Sequence, residues 1–100
     1  MNWQSMLALI QSRVGAGQVT TYGNCSYWAF GHRGAGQSVR AMLEAAAIRG
    51  NQSWTNRVVA NNGMLGRATH AHGQLTQLKS EGVPFSGPSR VDLVQCPPIP

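Results

Sequence analysis

The sequence predicts a small α+β domain, mainly helical, organised around a helix-turn-helix. Three observations predict it. At 100 residues, the chain has the length of one small domain. Apolar residues recur at three- and four-residue steps in the first half, as amphipathic helices require. The Gly-rich stretch Phe30-Gly31-His32-Arg33-Gly34-Ala35-Gly36 separates two of these periodic segments as a turn would.

The elements follow in chain order. Trp3, Met6, Leu7, Ile10 and Val14 form one face of a first helix, which Gly15-Ala16-Gly17 ends. Gln18 to Tyr22 reads as a short extended segment leading into a second helix over about Gly23 to Ala29. A third helix spans about Gln37 to Ile48, with Val39, Met42, Leu43 and Ala46 inward and Gln37, Arg40 and Glu44 on the opposite face. Gly50-Asn51-Gln52-Ser53 breaks the pattern. Arg57-Val58-Val59 and Met64-Leu65 read as a small hairpin or strand-loop unit, and Gly66 to Gly73 as a polar loop. Gln74 to Ser80 is a short last helix with Leu75 and Leu78 inward, stopped by Glu81-Gly82. Val91 to Val94 alternates as a terminal strand would. Residues 1–95 are expected to form one domain, and 96–100 a flexible tail.

Composition narrows the function classes. Eight Lys and Arg face three Asp and Glu, a net charge of +5, and seven of the eight cations are Arg. Arginine suits planar, bidentate contact with phosphates and base edges, so a polyanionic partner is expected. Three acids are too few for much paired-carboxylate chemistry. No apolar run approaches the ~20 residues of a membrane span. Met1-Asn2-Trp3-Gln4 has no basic region before an apolar core, so no secretory signal is expected. Cys25 and Cys96 read as free thiols of a reducing compartment. His70 and His72, with His32 as a third, have no acid or cysteine nearby to complete a metal site, and neither a metal nor a cofactor is expected.

Four segments in order resemble one family. Gly17-Gln18-Val19-Thr20-Thr21-Tyr22-Gly23 is similar to the Gly-x-Val-x-Thr-Tyr-Gly segment of the O6-alkylguanine-DNA alkyltransferases. Ser38-Val39-Arg40-Ala41-Met42 resembles their recognition-helix segment with its Arg finger. Arg57-Val58-Val59 followed by Asn62-Gly63-Met64-Leu65-Gly66 resembles the end of their Pro-Cys-His-Arg-Val motif and the Gly-x-Leu-x-Gly after it, and Glu81-Gly82-Val83 their closing Glu-Gly-Val. The resemblance implies a winged helix-turn-helix-like domain like the DNA-binding domain of those enzymes. It departs at the reactive centre, where Pro-Cys-His becomes Trp54-Thr55-Asn56. Thr55 then stands for the nucleophilic cysteine and Asn56 for its activating histidine. A threonine hydroxyl is a poor nucleophile and an amide takes no proton, so no alkyl transfer is expected. The non-catalytic alkyltransferase-like relatives also lack the cysteine and usually carry Trp there. Either the loop shifts by one residue to place Trp54, or Thr55 lines the pocket.

The resemblance assigns roles that compete with plainer readings. Arg40 becomes the finger that fills the gap left by a flipped nucleotide, or an ordinary i,i+4 partner of Glu44. Tyr22 becomes the residue that presses on the neighbouring phosphate, or a core tyrosine. Gln37 and the small Ala41 join the DNA-binding face. Trp54, Thr55, Asn56 and Arg67 line the base pocket; Trp54 also reads as core and Arg67 as a solvated charge. Glu81 and Arg57 remain as a structural relay. Arg13, Arg33, Arg49 and Arg90 read as phosphate contacts or solvated charges. The implied function is binding of double-stranded DNA with O6-alkylguanine, flipping without removal of the alkyl group, and marking for nucleotide excision repair proteins. The chain is expected to act as a cytoplasmic monomer. A general winged-helix DNA binder with a vestigial pocket is the alternative.

Overall fold

The computed structural model describes residues 1–66 and 73–100. Helix α1 spans Trp3–Arg13. Asn2 caps it, its side chain accepting from the Ser5 amide, and the extended Val14 ends it. Strand β1 (Thr20–Thr21) leads directly into α2 (Tyr22–Phe30), whose cap is Thr21 itself. Gly31, at φ 77°, closes α2 in the left-handed conformation. Helix α3 (Gly36–Ala46) runs into a wide turn, Ala47–Asn51, kinked at Arg49 and Gly50. Then come α4 (Gln52–Thr55), β2 (Val58–Val59), α5 (Gln74–Ser80), and the antiparallel pair β3 (Phe85–Gly87) and β4 (Arg90–Val91). No helix among the described residues is long and apolar enough to cross a membrane.

Two apolar clusters carry the fold. Met6, Ile10 and Val14 of the α1 segment meet Cys25, Val39, Leu43 and Val58 in the first. Val19, Val59, Leu78, Val83 and Val91 form the second. Burying a Leu, Ile, Val or Met side chain contributes about 1.5–3 kcal/mol. Val58 and Val59 are neighbours in one strand, so they face opposite ways, one into each cluster. Strand β2 pairs in parallel with β1, Thr20 opposite Val58 and Thr21 opposite Val59.

The α+β, mainly helical class holds, and several local expectations change. Gly50 does break the helix, at φ 89°, but the break is brief and α4 resumes at Gln52. Val58-Val59 makes no hairpin with Met64-Leu65. It pairs with β1, while Met64 bridges to Arg90. Leu75 faces outward and Gln74 is buried in its place, because the Gln74 amide satisfies the carbonyls of Asn56 and Val58. The terminal strand is short. Asp92 accepts from the amides of Val94 and Gln95, turning the chain and leaving Val94 90% exposed. Residues 96–100, expected as a flexible tail, are tied to the fold. The Ile99 amide donates to the Val19 carbonyl, and the Ile99 carbonyl accepts from Thr20 Oγ1 and Asn24 Nδ2.

Gly63 and Gly82 both have positive φ, 88° and 84°, but only Gly63 is hemmed in: a Cβ there would lie 2.5 Å from the Val91 carbonyl oxygen. Gly82→Ala should cost about 1–2 kcal/mol from backbone strain alone. Gly63→Ala should cost clearly more, about 3 kcal/mol, by adding a backbone clash. Urea midpoints of the two variants check this; equal shifts would contradict it.

Candidate nucleic-acid interface

The first turn of α2 and the first turns of α3 line an open cleft of about 680 Å³. Tyr22, Gln37 and Arg40 stand on one side with Gly34 and Gly36; Ala60, Asn61, Leu65 and Gly66 form the other. The cleft exists because Gly34, Gly36, Ala60 and Gly66 bring little or no side chain to fill it. No side chain caps the N-terminus of α3, so its first amides and the positive end of its dipole are available at this rim.

Local chemistry fixes the two helices. Thr21 Oγ1 accepts from the Asn24 amide, and the Gly23 amide donates to Asn61 Oδ1 at 3.0 Å. Glycine at position 23 allows this approach, since a Cβ would stand 2.9 Å from that oxygen and push the Asn61 side chain away. Asn61 is thus part of the site, and nothing in the sequence beyond a polar turn pointed to it. The long turn between α2 and α3 is braced from inside. Ser26 Oγ donates to the His32 carbonyl and accepts from the Ala35 amide.

Of the residues singled out in the sequence, Tyr22, Gln37 and Arg40 come together on this cleft, with Ala41 exposed beside Arg40 on α3. Burial pushes the Tyr22 phenol up to about 12, although the Arg40 charge acts the other way, so the hydroxyl remains protonated at neutral pH. Arg40 forms no salt bridge with Glu44, so the plain i,i+4 pairing is not made. Trp54, Thr55 and Asn56 do not line this cleft. Trp54 packs against the first cluster with the Arg57 guanidinium 4.8 Å over its ring. Thr55 and Asn56 are buried, and Asn56 Nδ2 donates to Gln77 Oε1 at 2.9 Å. Arg67, His70 and His72 lie outside the described residues.

The remaining arginines divide in a way the sequence did not show. Arg13 stacks on Trp28 at 4.9 Å, Arg33 on Tyr27 and Arg49 on Trp3, both at 5.0 Å. Arg90 reaches the Met64 sulfur. Arg40 has neither a ring beneath it nor a salt bridge among the described residues. It is exposed at the cleft with its guanidinium available.

Glu81 and Arg57 form a two-pronged ion pair, Nε to Oε1 at 3.2 Å and Nη2 to Oε2 at 2.8 Å. Glu81 also accepts from the Gly17 amide and from Gln77 Nε2. Burial raises its pKa, but the bonds from Arg57, Gly17 and Gln77 outweigh that and hold the carboxyl below its usual value. The two thiols stand apart from the cleft. Burial pushes Cys25 up to about 12 and also raises Cys96, so both remain protonated at neutral pH.

The fold is similar to that of S. pombe Atl1 in its crystal structure in complex with damaged DNA containing O6-carboxymethylguanine. The TM-score is 0.70, with 19% identity over 95% of each chain. No family model and no curated protein matches the chain.

A carboxyl whose folded pKa is depressed contributes stability above its unfolded pKa of about 4.3, and loses it as pH falls through the folded value. Glu81→Gln should therefore lower stability at pH 7 by about 1–3 kcal/mol, the range for charge-assisted hydrogen bonds. Urea titrations of wild type and variant should converge below pH 4. A constant difference down to acid pH would remove the ionised pair as the cause.

Proposed function

We propose that the protein binds duplex DNA carrying O6-alkylguanine and turns the damaged nucleotide out of the stack. It leaves the alkyl group in place and so marks the site for nucleotide excision repair proteins. The observation that carries this reading is the convergence of Tyr22, Gln37 and the unpaired Arg40 on one open cleft at the start of α3. A protonated phenol beside the cleft can press on and donate to a phosphate. A planar cation can stack in the gap left by the flipped nucleotide and bond its orphaned partner. The small Ala41 permits close approach to the groove. The likeness to Atl1, whose structure contains O6-carboxymethylguanine, supports the choice of lesion. A weakened base pair opens at lower cost, which favours the damaged site. We place this monomeric activity in the cytoplasm.

Alkyl acceptance needs a thiolate or an equivalent nucleophile beside a base. Both thiols here are held protonated, and Thr55 is followed by an amide whose NH₂ is engaged by Gln77. The buried, inward-bonded Thr55 and Asn56 also favour a second reading, a general duplex binder whose base pocket is vestigial.

Titration of matched duplexes with and without O6-methylguanine, at two salt concentrations, separates the readings. A tenfold preference, about 1.4 kcal/mol, is expected for the damaged duplex; equal affinity would leave only the general binder. Arg40→Ala should weaken lesion binding by about 1–3 kcal/mol and reduce the salt slope by about one. Unchanged affinity would remove the finger role.

Incubation with an O6-methylguanine duplex followed by mass spectrometry should leave the wild type unmodified. Thr55→Cys should show no rapid, stoichiometric methylation, because an ordinary thiol with pKa near 8.5 is only a few per cent thiolate at neutral pH. Methylation of the wild type would overturn the non-enzymatic reading; rapid, stoichiometric methylation of Thr55→Cys would show that a histidine relay is dispensable here.

A further inference from the structure

The outer face of α2 carries a feature that the cleft does not use. Tyr27 is 52% exposed and Phe30 is 41% exposed, although burial of such rings is among the largest favourable terms a small domain has. They stand three residues apart on one helix, so their Cβ atoms are about 5–6 Å from each other on one face. Each has a planar polar neighbour from the turn after α2. The Arg33 guanidinium lies 5.0 Å over the Tyr27 ring, and the His32 ring centroid is 6.3 Å from that of Phe30 with a 32° tilt. These neighbours are held in place. Arg33 Nη2 donates to Asn24 Oδ1, His32 Nδ1 accepts from the Gly34 amide, and Ser26 braces the turn. An exposed cation–π pair is a weak interaction, too weak to account for two large rings left half in water.

The charges placed against α2 among the described residues are guanidinium groups, Arg33 over Tyr27 and Arg13 over Trp28. No Asp or Glu precedes Glu44 in the chain, whereas Arg13, Arg33 and Arg40 all fall in that stretch. A face of exposed rings with a guanidinium beside it suits a ligand with flat apolar surfaces joined by regularly spaced anions. Paired bases in a duplex offer no free faces for stacking; unpaired bases do. We propose that Tyr27, Phe30, His32 and Arg33 form a stacking platform for a single-stranded nucleic acid segment, separate from the duplex cleft and not dependent on the lesion reading. One base stacks on the Phe30 ring and its neighbour on the Arg33–Tyr27 stack, where the guanidinium edge meets the phosphate between or beside them.

Fluorescein-labelled dT12 tests this by anisotropy on the full chain at low salt. The wild type should bind dT12. Tyr27→Ala/Phe30→Ala should bind it at least tenfold more weakly while keeping its affinity for an O6-methylguanine duplex within about twofold; Tyr27→Phe should retain dT12 binding, because the ring is what acts. In wild-type protein, ultraviolet cross-links from a 5-bromodeoxyuridine 12-mer should map to Tyr27 or Phe30, a readout that needs no variant. Absence of dT12 binding, cross-links on Tyr22 instead, or equal loss on both DNA probes overturns the platform. Equally tight binding of a twelve-residue poly-Glu peptide also overturns it, since charge alone would then account for the affinity. Loss of lesion preference with dT12 binding intact counts against the duplex reading only.

Discussion

The two-residue parallel ladder between Thr20-Thr21 and Val58-Val59 is the constraint on which the rest of the structure depends. It is short, but it lies where the two apolar clusters meet, and Val58 and Val59 anchor one each. Thr21 is both the end of β1 and the cap of α2. Its register opposite Val59 therefore sets Tyr22 against the start of the Ala60–Gly66 segment. The Gly23–Asn61 bond continues the same alignment by one more step. The two sides of the cleft are thus placed by a strand register, and helix α3 enters it through the braced turn from α2.

The strand segment is held as firmly from its other side. Gln74 donates to the carbonyls of both Asn56 and Val58 and accepts from the Gly66 amide, so one buried amide fixes the strand and the far rim of the cleft together. Gln77 joins Asn56 to Glu81, and Glu81 grips Arg57. An amide network of this kind orients backbone and side chains but has no basic nitrogen to take a proton.

Charge is distributed by the same economy of few residues. In a chain with three acids, four arginines settle over aromatic rings, Arg13, Arg33, Arg49 and Arg57, where the π face supplies part of the compensation that carboxylates would give elsewhere. A stacked guanidinium still presents N–H groups at its edge, but its position is fixed by the ring. Arg40 differs because its side of α3 faces the cleft, with no ring stacked beneath the guanidinium and no salt bridge to Glu44.

Helix positions were legible in the sequence because amphipathic spacing and glycine stops are local properties. The 3.6-residue period of Met6, Leu7 and Ile10, the Gly31 stop, and the Glu81-Gly82 stop could each be read without knowing what lies opposite. Motif order likewise brought out Tyr22 and Arg40, and helical spacing set Gln37 beside Arg40. Pairing was not legible: a two-residue strand such as Val58-Val59 carries no signal of its partner, so its match to Thr20-Thr21 rather than Met64-Leu65 is decided by the two clusters it must serve. The same holds for Gln74, whose polarity pointed outward until the buried carbonyls of Asn56 and Val58 required a donor. It holds too for Ile99, drawn in by Val19, Thr20 and Asn24 from the far end of the chain. Local periodicity is written in consecutive residues, whereas the satisfaction of buried backbone groups is settled only when distant segments meet.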